Sequence, residues 1–575
     1  MTRLQGRNLL LVYALLMLVA AFGYARYDTY TMDGDGVSFL DISQFLTDGH
    51  AKLAVNGYWN PGYPAVLAAA RVVVHPTRWT ELAMARYVNA VIFALTMAAC
   101  FFFTTGLVRV RARSEVGEAA AAVPDWSVHL LALGMLVFSA GRELPLSAVR
   151  ADTLLLALLL VAMGLVVRLQ VGAGFWAYPG LGLALGCAYL VKSFALLPSL
   201  ILVLAMLGFG LSRKGKARTT IAGGAVIAGI VFVALAGPYV VGISRQLGHL
   251  SSGDSARLNY CFFVDQTPRW HEAYTHNLGH ATGTFKHPEE VLATDPPVFS
   301  FAAHPVGTFP LWFDPGWWTV GLTPHFWLKG HLVRLVRCTE LLTRFLLGRP
   351  EIFVLLAVLL AFGAKLPRRR DFWLWLPSIG WGLAMLGIYF PIDLQDRYLT
   401  GPFLLVLLPV FVWMTVDARV VERTRVVASA LVVLLAGVAL MQATGYLLDV
   451  RRHTTEHRGE AGYNAEIYPM AHALDAMGLR PGDKVACFGD VACYVDPYWV
   501  RLAGTQLLAE VQTPDNADPQ KVWDAIPDVQ REIAPLRTMG LKFIVGKFAN
   551  SAEKPKGWVQ LGRTDFFAYP LEDGK

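Results

Sequence analysis

Two carboxylates follow closely on the first apolar run of the chain, in the segment Thr31-Met-Asp33-Gly-Asp35-Gly. Because glycines flank Asp35 and separate it from Asp33, the backbone there can approach a ligand closely. A carboxylate held just outside a bilayer can deprotonate a hydroxyl while the rest of the substrate stays in lipid. The same residues also suit a solvated Asp-Gly turn, so the motif alone leaves both a catalytic and a structural role open.

Further charged and polar candidates stand at the ends of later apolar runs. They are Arg150, Asp152, Lys192, Asp396, Arg397 and Tyr398. Charges at a membrane edge are costly, which makes them candidates for a functional role. The structural alternatives are a snorkelling lysine at 192 and helix N-caps with ion pairs at the other positions.

The composition indicates that these groups lie at a membrane. Of the 575 residues, 55% are hydrophobic and 16% are charged, whereas soluble proteins carry about 25% charged residues. Six cysteines are too few for a disulfide scaffold. We therefore expect a polytopic membrane protein and exclude a soluble enzyme, a disordered chain and a disulfide-rich secreted protein.

About eleven apolar runs are long enough to predict membrane spans. They lie near 8–25, 86–108, 127–141, 152–168, 175–191, 194–211, 219–241, 351–365, 372–390, 399–416 and 426–448. Most arginines and lysines of the short loops fall on one side, which places the N-terminus in the cytoplasm of a multi-pass plasma (inner) membrane protein. This bias explains the net charge of +7 without a nucleic-acid partner.

The topology leaves two long loops, 26–85 and 242–350, on the outer side of a transmembrane domain that covers 1–449. From 450 to 575 the charge rises and short helical and strand patterns alternate. Helices are predicted at 464–478 and 529–539, and strands at 484–488 and 541–545. The predicted fold class is thus a polytopic α-helical membrane protein with a small C-terminal α/β extracytoplasmic domain.

Two features of the outer segments stay open at this point. Four cysteines are predicted outside, and their three pairings cannot be distinguished by sequence: Cys261, Cys338, Cys487 and Cys493. The loop 242–350 is rich in tryptophan, which we expect mainly to anchor the loop at the membrane interface. Its stretch Pro310–Trp318 is a hypothetical lid over the site.

In their order, these motifs resemble the GT-C superfamily of lipid-linked-sugar glycosyltransferases. The resemblance is closest to the bacterial branch of protein O-mannosyltransferases and the lipid A aminoarabinose transferase, and it covers roughly residues 1–450. The matching segments are Asp35-Gly-Val-Ser-Phe39, Asn60-Pro-Gly-Tyr-Pro64, Gly182–Lys192 and Asp396-Arg397-Tyr398. Two positions depart from the pattern, because Gly36 stands where relatives often have Glu and Val191 where they often have Thr.

The resemblance implies a sugar donor joined through one phosphate to a polyprenol, and an acceptor hydroxyl on a membrane lipid, a glycan or a protein of the cell envelope. Asp35 would be the general base of an inverting transfer, with Asp33 as its neighbour and alternative. Lys192, Arg397 and Arg150 would bind the donor phosphate. The remaining substrate-binding candidates are Tyr58, Asp152, Asp396 and Tyr398.

No cofactor follows with certainty from the sequence. A divalent cation such as Mg²⁺ or Mn²⁺ is an alternative source of positive charge, but no ligand spacing is diagnostic. Two rival classes are a membrane transporter or lipid-handling protein and a catalytically degenerate accessory protein, the latter because of Gly36. The sequence lacks the matching interrupted halves typical of many transporters, and it identifies neither the sugar, the acceptor, the oligomeric state nor the role of the C-terminal domain.

Overall fold

The computed structural model describes most of the chain. The described residues are 3–28, 32, 34–114, 120–143, 146, 148–268, 278–283, 290–301, 308, 321–367, 371–456, 466–514, 517–548 and 555–571. Asp33 and the hypothetical lid Pro310–Trp318 lie outside them.

The described chain is mainly helical. In chain order the α-helices are α1 (Arg3–Tyr27), α2 (Gly34–Thr47), α3 (Gly62–Val74), α4 (Glu81–Arg113), α5 (Asp125–Glu143), α6 (Asp152–Gln170), α7 (Ala177–Val191), α8 (Leu196–Leu211), α9 (Gly215–Leu247), α10 (Ser255–Phe263), α11 (Leu328–Leu347), α12 (Pro350–Ala361), α13 (Phe372–Tyr389), α14 (Asp396–Trp413), α15 (Val421–Glu456), α16 (Ile467–Ala476), α17 (Tyr498–Ala503), α18 (Pro519–Asp524) and α19 (Val529–Thr538). Each predicted apolar run overlaps one of these helices, but the runs 351–365 and 399–416 extend past Ala361 and Trp413, where α12 and α14 end.

Among the described residues, eight helices are long and apolar enough to cross a membrane. They are α1, α4, α6, α8 with the turn before it, α9, α13, α14 and α15. The other predicted runs form the shorter apolar helices α5, α7 and α12. The chain is therefore a multi-pass membrane protein, while the count of eleven spans and the orientation stay predictions.

Glycine allows two of these helices to pack closely. A Cβ atom added at Gly182 of α7 would lie 2.3 Å from the backbone oxygen of Ala228 on α9, and one at Gly186 would lie 2.8 Å from Leu235. Small residues spaced four apart let helix backbones approach in this way. Part of the predicted motif Gly182–Lys192 thus packs α7 against α9.

A mixed sheet covers one end of the helical bundle. The strands are β1 (Thr282–Gly283), β2 (Glu290–Thr294), β3 (Pro297–Ser300), β4 (Leu322–Thr323), β5 (Ala364–Lys365), β6 (Thr415–Val416), β7 (Lys484–Phe488), β8 (Gln506–Val511), β9 (Phe543–Lys547), β10 (Val559–Gln560) and β11 (Phe566–Pro570). The large sheet has the order β10-β11-β9-β7-β8-β3-β2, with β7 parallel to both β8 and β9. The C-terminal α/β fold is confirmed, and its predicted strand at 541–545 begins two residues later, at Phe543.

The sheet also contains two strands that come from the long loop 242–350. Strand β3 pairs with β8, and β2 pairs with β3. Helix α15 moreover continues to Glu456, past the predicted domain boundary at 449. A disulfide joins Cys487 to Cys493, and Cys261 and Cys338 are free and buried.

Buried ion pairs attach the C-terminal fold to helices α2 and α4. The guanidinium of Arg501 donates to Glu81 through Nε and Nη2, each at 2.7 Å, and Nη1 donates to Asp41 at 2.5 Å. Asp41 also accepts hydrogen bonds from the backbone N–H of Thr308 at 2.8 Å and from its hydroxyl at 3.0 Å. Burial raises the pKa of the Asp41 carboxyl, although Arg501 and Thr308 oppose this change. We call Asp41, Glu81 and Arg501 the junction cluster.

Candidate functional site

Four charged side chains that are distant in sequence meet beside the bundle. The ammonium of Lys192 lies 2.5 Å from Oδ1 of Asp152. Nη1 of Arg397 lies 3.8 Å from Oδ2 of Asp152 and 3.4 Å from Oδ2 of Asp35. We call Asp35, Asp152, Lys192 and Arg397 the carboxylate–cation cluster.

Each member of the cluster stands at the end of a different helix. Asp35 lies in the first turn of α2, Asp152 begins α6, and Arg397 is the second residue of α14. Lys192 directly follows the C-terminus of α7. The two carboxylates are therefore at helix N-termini and the lysine at a C-terminus, where the helix dipoles favour these charges.

Aromatic rings support the cations from one side. The ring of Tyr389 stacks between those of Phe194 and Tyr398, with centroid distances of 3.9 and 4.5 Å. The Lys192 ammonium lies over the Tyr398 ring at 4.3 Å from its centroid. This geometry is that of a cation–π interaction, which stabilises the ammonium where water is partly excluded.

A hydrogen-bonded chain holds the guanidinium of Arg397 from the other side. Its Nε donates to the Gln395 side-chain oxygen at 2.9 Å, and the Gln395 amide nitrogen donates to Asp393 at 3.1 Å. Asp393 in turn forms an ion pair with Arg334 of α11. The orientation of Arg397 therefore depends on the segment that precedes α14 and, through it, on α11.

The cluster borders a cavity whose walls become apolar away from the charges. Asp152, Arg397, Tyr389 and Tyr398 line its polar part. The other walls come from Leu155, Leu156, Leu159, Phe194, Met385, Thr400, Gly401 and Pro402. Including the open mouth, the empty space is about 370 Å³. The arrangement suits a ligand with an anionic group joined to an apolar chain.

The other predicted site residues lie at different distances from this cluster. Arg150 is close enough to Asp152 to interact with it electrostatically. Tyr58 is half-buried in the loop before α3, with its ring against Trp59. Asp396 is exposed at the start of α14. Asp33 lies outside the described residues, so its position relative to Asp35 stays a prediction.

The two carboxylates of the cluster that the structure describes are paired with cations of the protein. No group of three or more His, Cys, Asp and Glu side chains that could hold a metal occurs in the part of the chain that the structure describes. Asp35 and Asp152, the two carboxylates of the cluster, are both paired with Arg397. These residues do not supply the several converging oxygens that a hard divalent cation prefers.

Sequence reasoning missed Gln395 and the residues that fix the end of α7. Gln395 stands within the Asp393-Leu-Gln-Asp396 segment, yet a neutral side chain beside charged ones carries no local signal of its own. The aromatic stack could not be predicted from the sequence either, because Phe194, Tyr389 and Tyr398 belong to three distant segments. Only Tyr398 was marked by its place next to Arg397.

The fold and the site together define a multi-pass membrane protein with long loops, a terminal α/β fold and charged groups gathered at helix ends. The chain is similar over its full length to the crystal structure of ArnT from Cupriavidus metallidurans bound to undecaprenyl phosphate, with 12% identity, a TM-score of 0.50 and coverage of 100% of both chains. The apo structure of the same ArnT gives 11% identity, a TM-score of 0.52 and coverage of 99% of each chain. This likeness shows that the chain shares the fold of these ArnT structures, as the predicted fold class requires. No family model and no curated protein matches the chain.

Proposed function

We propose that this protein is an integral-membrane glycosyltransferase that moves a sugar from a polyprenyl-phosphate donor to a hydroxyl of a lipid, a glycan or a protein at the outer face of the plasma membrane. The convergence of Asp35, Asp152, Lys192 and Arg397 beside an apolar-walled cavity carries the proposal. The likeness to an ArnT structure that contains undecaprenyl phosphate supports the choice of donor.

The donor phosphate would lie between Lys192 and Arg397, and the polyprenyl chain along the apolar wall. Arg397 offers a planar fork of N–H groups that matches a phosphate, and Lys192 adds a compact positive charge. Arg150 adds a third positive charge on the Asp152 side. Asp152, which touches both Lys192 and Arg397, would keep the two cations apart and oriented until the phosphate binds.

Asp35 would act as the general base. The acceptor oxygen attacks the anomeric carbon while its proton moves to a carboxylate oxygen of Asp35. The bond between the anomeric carbon and the phosphate oxygen breaks, its electron pair stays on that oxygen, and polyprenyl phosphate leaves. One direct displacement inverts the configuration at the anomeric carbon.

Because Asp35 is paired with Arg397, binding of the donor phosphate to Arg397 would also release Asp35. In the donor-free arrangement Nη1 of Arg397 lies 3.4 Å from Asp35, a long contact that a phosphate can replace. Once Arg397 turns to the phosphate, Asp35 loses this partner and its lone pairs become available to the acceptor hydroxyl. The base would thus become free only when a donor is present.

The test is release of polyprenyl phosphate from a panel of polyprenyl-phosphate sugars by the purified protein in nanodiscs, with a membrane-lipid extract as acceptor. Asp35→Asn is compared with the wild type and with Asp48→Asn, an exposed aspartate at the end of the same helix. We expect turnover with one class of donor, its loss in Asp35→Asn and its retention in Asp48→Asn and in EDTA.

Other results would redirect the proposal. Full turnover by Asp35→Asn would move the base to another carboxylate, with Asp33 as the first candidate. Turnover that EDTA abolishes would add a divalent cation to the mechanism. Absence of wild-type turnover with every donor, when acceptors include lipid, glycan and protein fractions, would favour a transporter or a degenerate accessory protein.

A further inference from the structure

The chain leaves its helical path at Lys192. Helix α7 ends at Val191, and Lys192 is extended, with φ −155° and ψ 126°, before the short turn Ser193–Ala195 begins. In an uninterrupted helix the N–H of residue 193 would donate to the carbonyl of residue 189. That bond is replaced here, because both groups bind another side chain.

The side-chain amide of Asn60 takes the place of this helical hydrogen bond. Its Nδ2 donates to the carbonyl oxygen of Tyr189 at 2.8 Å, and its Oδ1 accepts from the N–H of Ser193 at 3.0 Å. Asn60 is only 5% exposed. Both backbone groups are therefore satisfied although the helix is open between them, which avoids the cost of two buried unpaired groups.

The chain around Asn60 and Gly62 lies in close contact with the end of α7. A Cβ atom added at Gly62 would lie 2.7 Å from the backbone of Leu190, so only glycine lets the loop approach α7 this closely. On the other side, the hydroxyls of Ser193 and Ser255 lie 2.6 Å apart. The loop before α3 and the start of α10 thus hold the opened segment from two directions.

We propose that Asn60 is a positioning residue that keeps the chain open at Lys192 and thereby directs the Lys192 ammonium toward Asp152 and the Tyr398 ring. The functional part of this inference rests on the proposed function, in which Lys192 binds the donor phosphate. Without the amide, the Ser193 N–H can bond the Tyr189 carbonyl directly. Lys192 would then become helical, and its side chain would leave the carboxylate–cation cluster.

The first test reads the position of Lys192 without any assay of activity. Lysines are converted to ¹³C-dimethyl-lysines, which keep their charge, and the Lys192 signal is assigned by its loss in Lys192→Arg. Because the ammonium lies 4.3 Å over the Tyr398 ring, its methyl signal is expected upfield of exposed lysines. In Asn60→Ala the signal should move to the position of exposed lysines.

Tyr239→Phe is the matched control. The Tyr239 hydroxyl donates to the carbonyls of Asn56 and Trp59, so it anchors the same loop. The Tyr239 ring, which packs edge-on against Tyr189, is kept in the Phe variant. We expect the upfield signal to remain in Tyr239→Phe. If Asn60→Ala keeps the signal, or if both variants lose it equally, the specific role of the Asn60 amide is contradicted.

A second variant covers the case in which Asn60→Ala does not fold. Asn60→Asp keeps the shape and can still accept from Ser193, but it has no N–H to offer Tyr189. Its carboxylate would face the Tyr189 carbonyl, so we expect the Lys192 signal to shift here too. An unchanged signal in folded Asn60→Asp would overturn the proposal.

Binding of undecaprenyl phosphate in nanodiscs then connects this position to the ligand. Asn60→Ala should weaken binding about tenfold or more, the effect expected for the loss of one charge-assisted hydrogen bond. Adding Asn60→Ala to Lys192→Met should weaken it no further, because the ammonium is already absent. If Asn60→Ala weakens binding by the same factor in Lys192→Met as in the wild type, the inference is contradicted. A wild type that shows the upfield signal but binds no lipid would instead refute the proposed function and leave the positioning role intact.

Discussion

Asp35 and Asp41 lie on the same helix, α2, yet they belong to two groups of ion pairs with different properties. In the junction cluster the side chains of Asp41, Glu81 and Arg501 are 0%, 3% and 6% exposed, and their contacts measure 2.5–2.7 Å. In the carboxylate–cation cluster Asp35 is 31% exposed and its contact with Arg397 measures 3.4 Å. The first group is satisfied and closed to water, whereas in the second Asp35 is only loosely paired with Arg397 beside a cavity.

The difference in exposure between the two clusters indicates how pairs of carboxylates and cations can stabilise the fold in one place and take part in chemistry in another. A buried charge that loses its partner is expensive, so the junction cluster has little freedom to rearrange. Asp35 and Arg397 can exchange partners for a ligand at small cost, because solvent already reaches both. Changes in the two groups should therefore affect different measurements.

The largest effect on stability is expected from Arg501→Met. It leaves the buried carboxylate of Asp41 without its cation, while Glu81 keeps its ion pair with Arg71, and it should cost about 3–5 kcal/mol of unfolding free energy. Reversible unfolding in mixed detergent micelles measures this cost. Arg563→Met, at an exposed position of the same fold, should stay within about 0.5 kcal/mol of the wild type. Equal stability of the two variants would contradict the structural role of the junction cluster.

The cations of the carboxylate–cation cluster should affect turnover instead. Lys192→Met and Arg397→Lys are each expected to lower kcat about 10²–10³-fold, because each removes charge stabilisation or its geometry from the leaving phosphate. The free energy of unfolding should change little in both variants. Lys52→Met, at an exposed position, is the control for loss of a positive charge. Unaltered kcat in Arg397→Lys would show that the planar guanidinium is not required.

A smaller effect is expected where Gln395 supports the Arg397 guanidinium. Gln395→Ala removes the acceptor at 2.9 Å and should raise the KM for the donor about tenfold. Steady-state kinetics with varied donor provides the measurement. Gln530→Ala removes a hydrogen bond to Tyr569 far from the cavity and should leave KM unchanged. A rise in both variants would indicate a general loss of structure.

The smallest effect is expected from Asp396→Asn. The side chain is exposed although the residue neighbours Arg397, so turnover should change less than about threefold. Initial rates at low donor concentration are the most sensitive readout. A loss of tenfold or more would support the substrate-binding role that the resemblance implies for this residue, and would place part of the ligand outside the cavity.

The sequence predicted the helices because each follows from a local pattern. The eleven apolar runs correspond to α1, α4 to α9 and α12 to α15, and the strand at 484–488 is β7. Helices α2, α3, α10 and α11 lie outside these runs. All four members of the carboxylate–cation cluster, Asp35, Asp152, Lys192 and Arg397, stood out because charges at membrane edges are rare. Their meeting is a property of the fold that spacing along the chain does not encode.

The remaining features depend on partners that are distant in sequence. Arg501 lies far along the chain from Asp41 and Glu81, and nothing near it indicates a buried ion pair. Strands β2 and β3 join the C-terminal sheet although they belong to the loop 242–350. Asn60 was quoted only as part of a motif, because replacement of a helical hydrogen bond by a side chain has no local signature.

Asp35→Asn and Asp41→Asn, measured side by side for turnover and for unfolding, test the central claim most directly. We expect Asp35→Asn to lose about 10²–10⁴-fold in kcat and to keep wild-type stability, because a general base contributes that much to the rate. Asp41→Asn should lose about 1–3 kcal/mol of stability and keep its turnover per folded molecule. Loss of stability in Asp35→Asn with wild-type turnover, or loss of turnover in Asp41→Asn at full stability, would contradict the assignment of chemistry to one end of α2 and of attachment to the other.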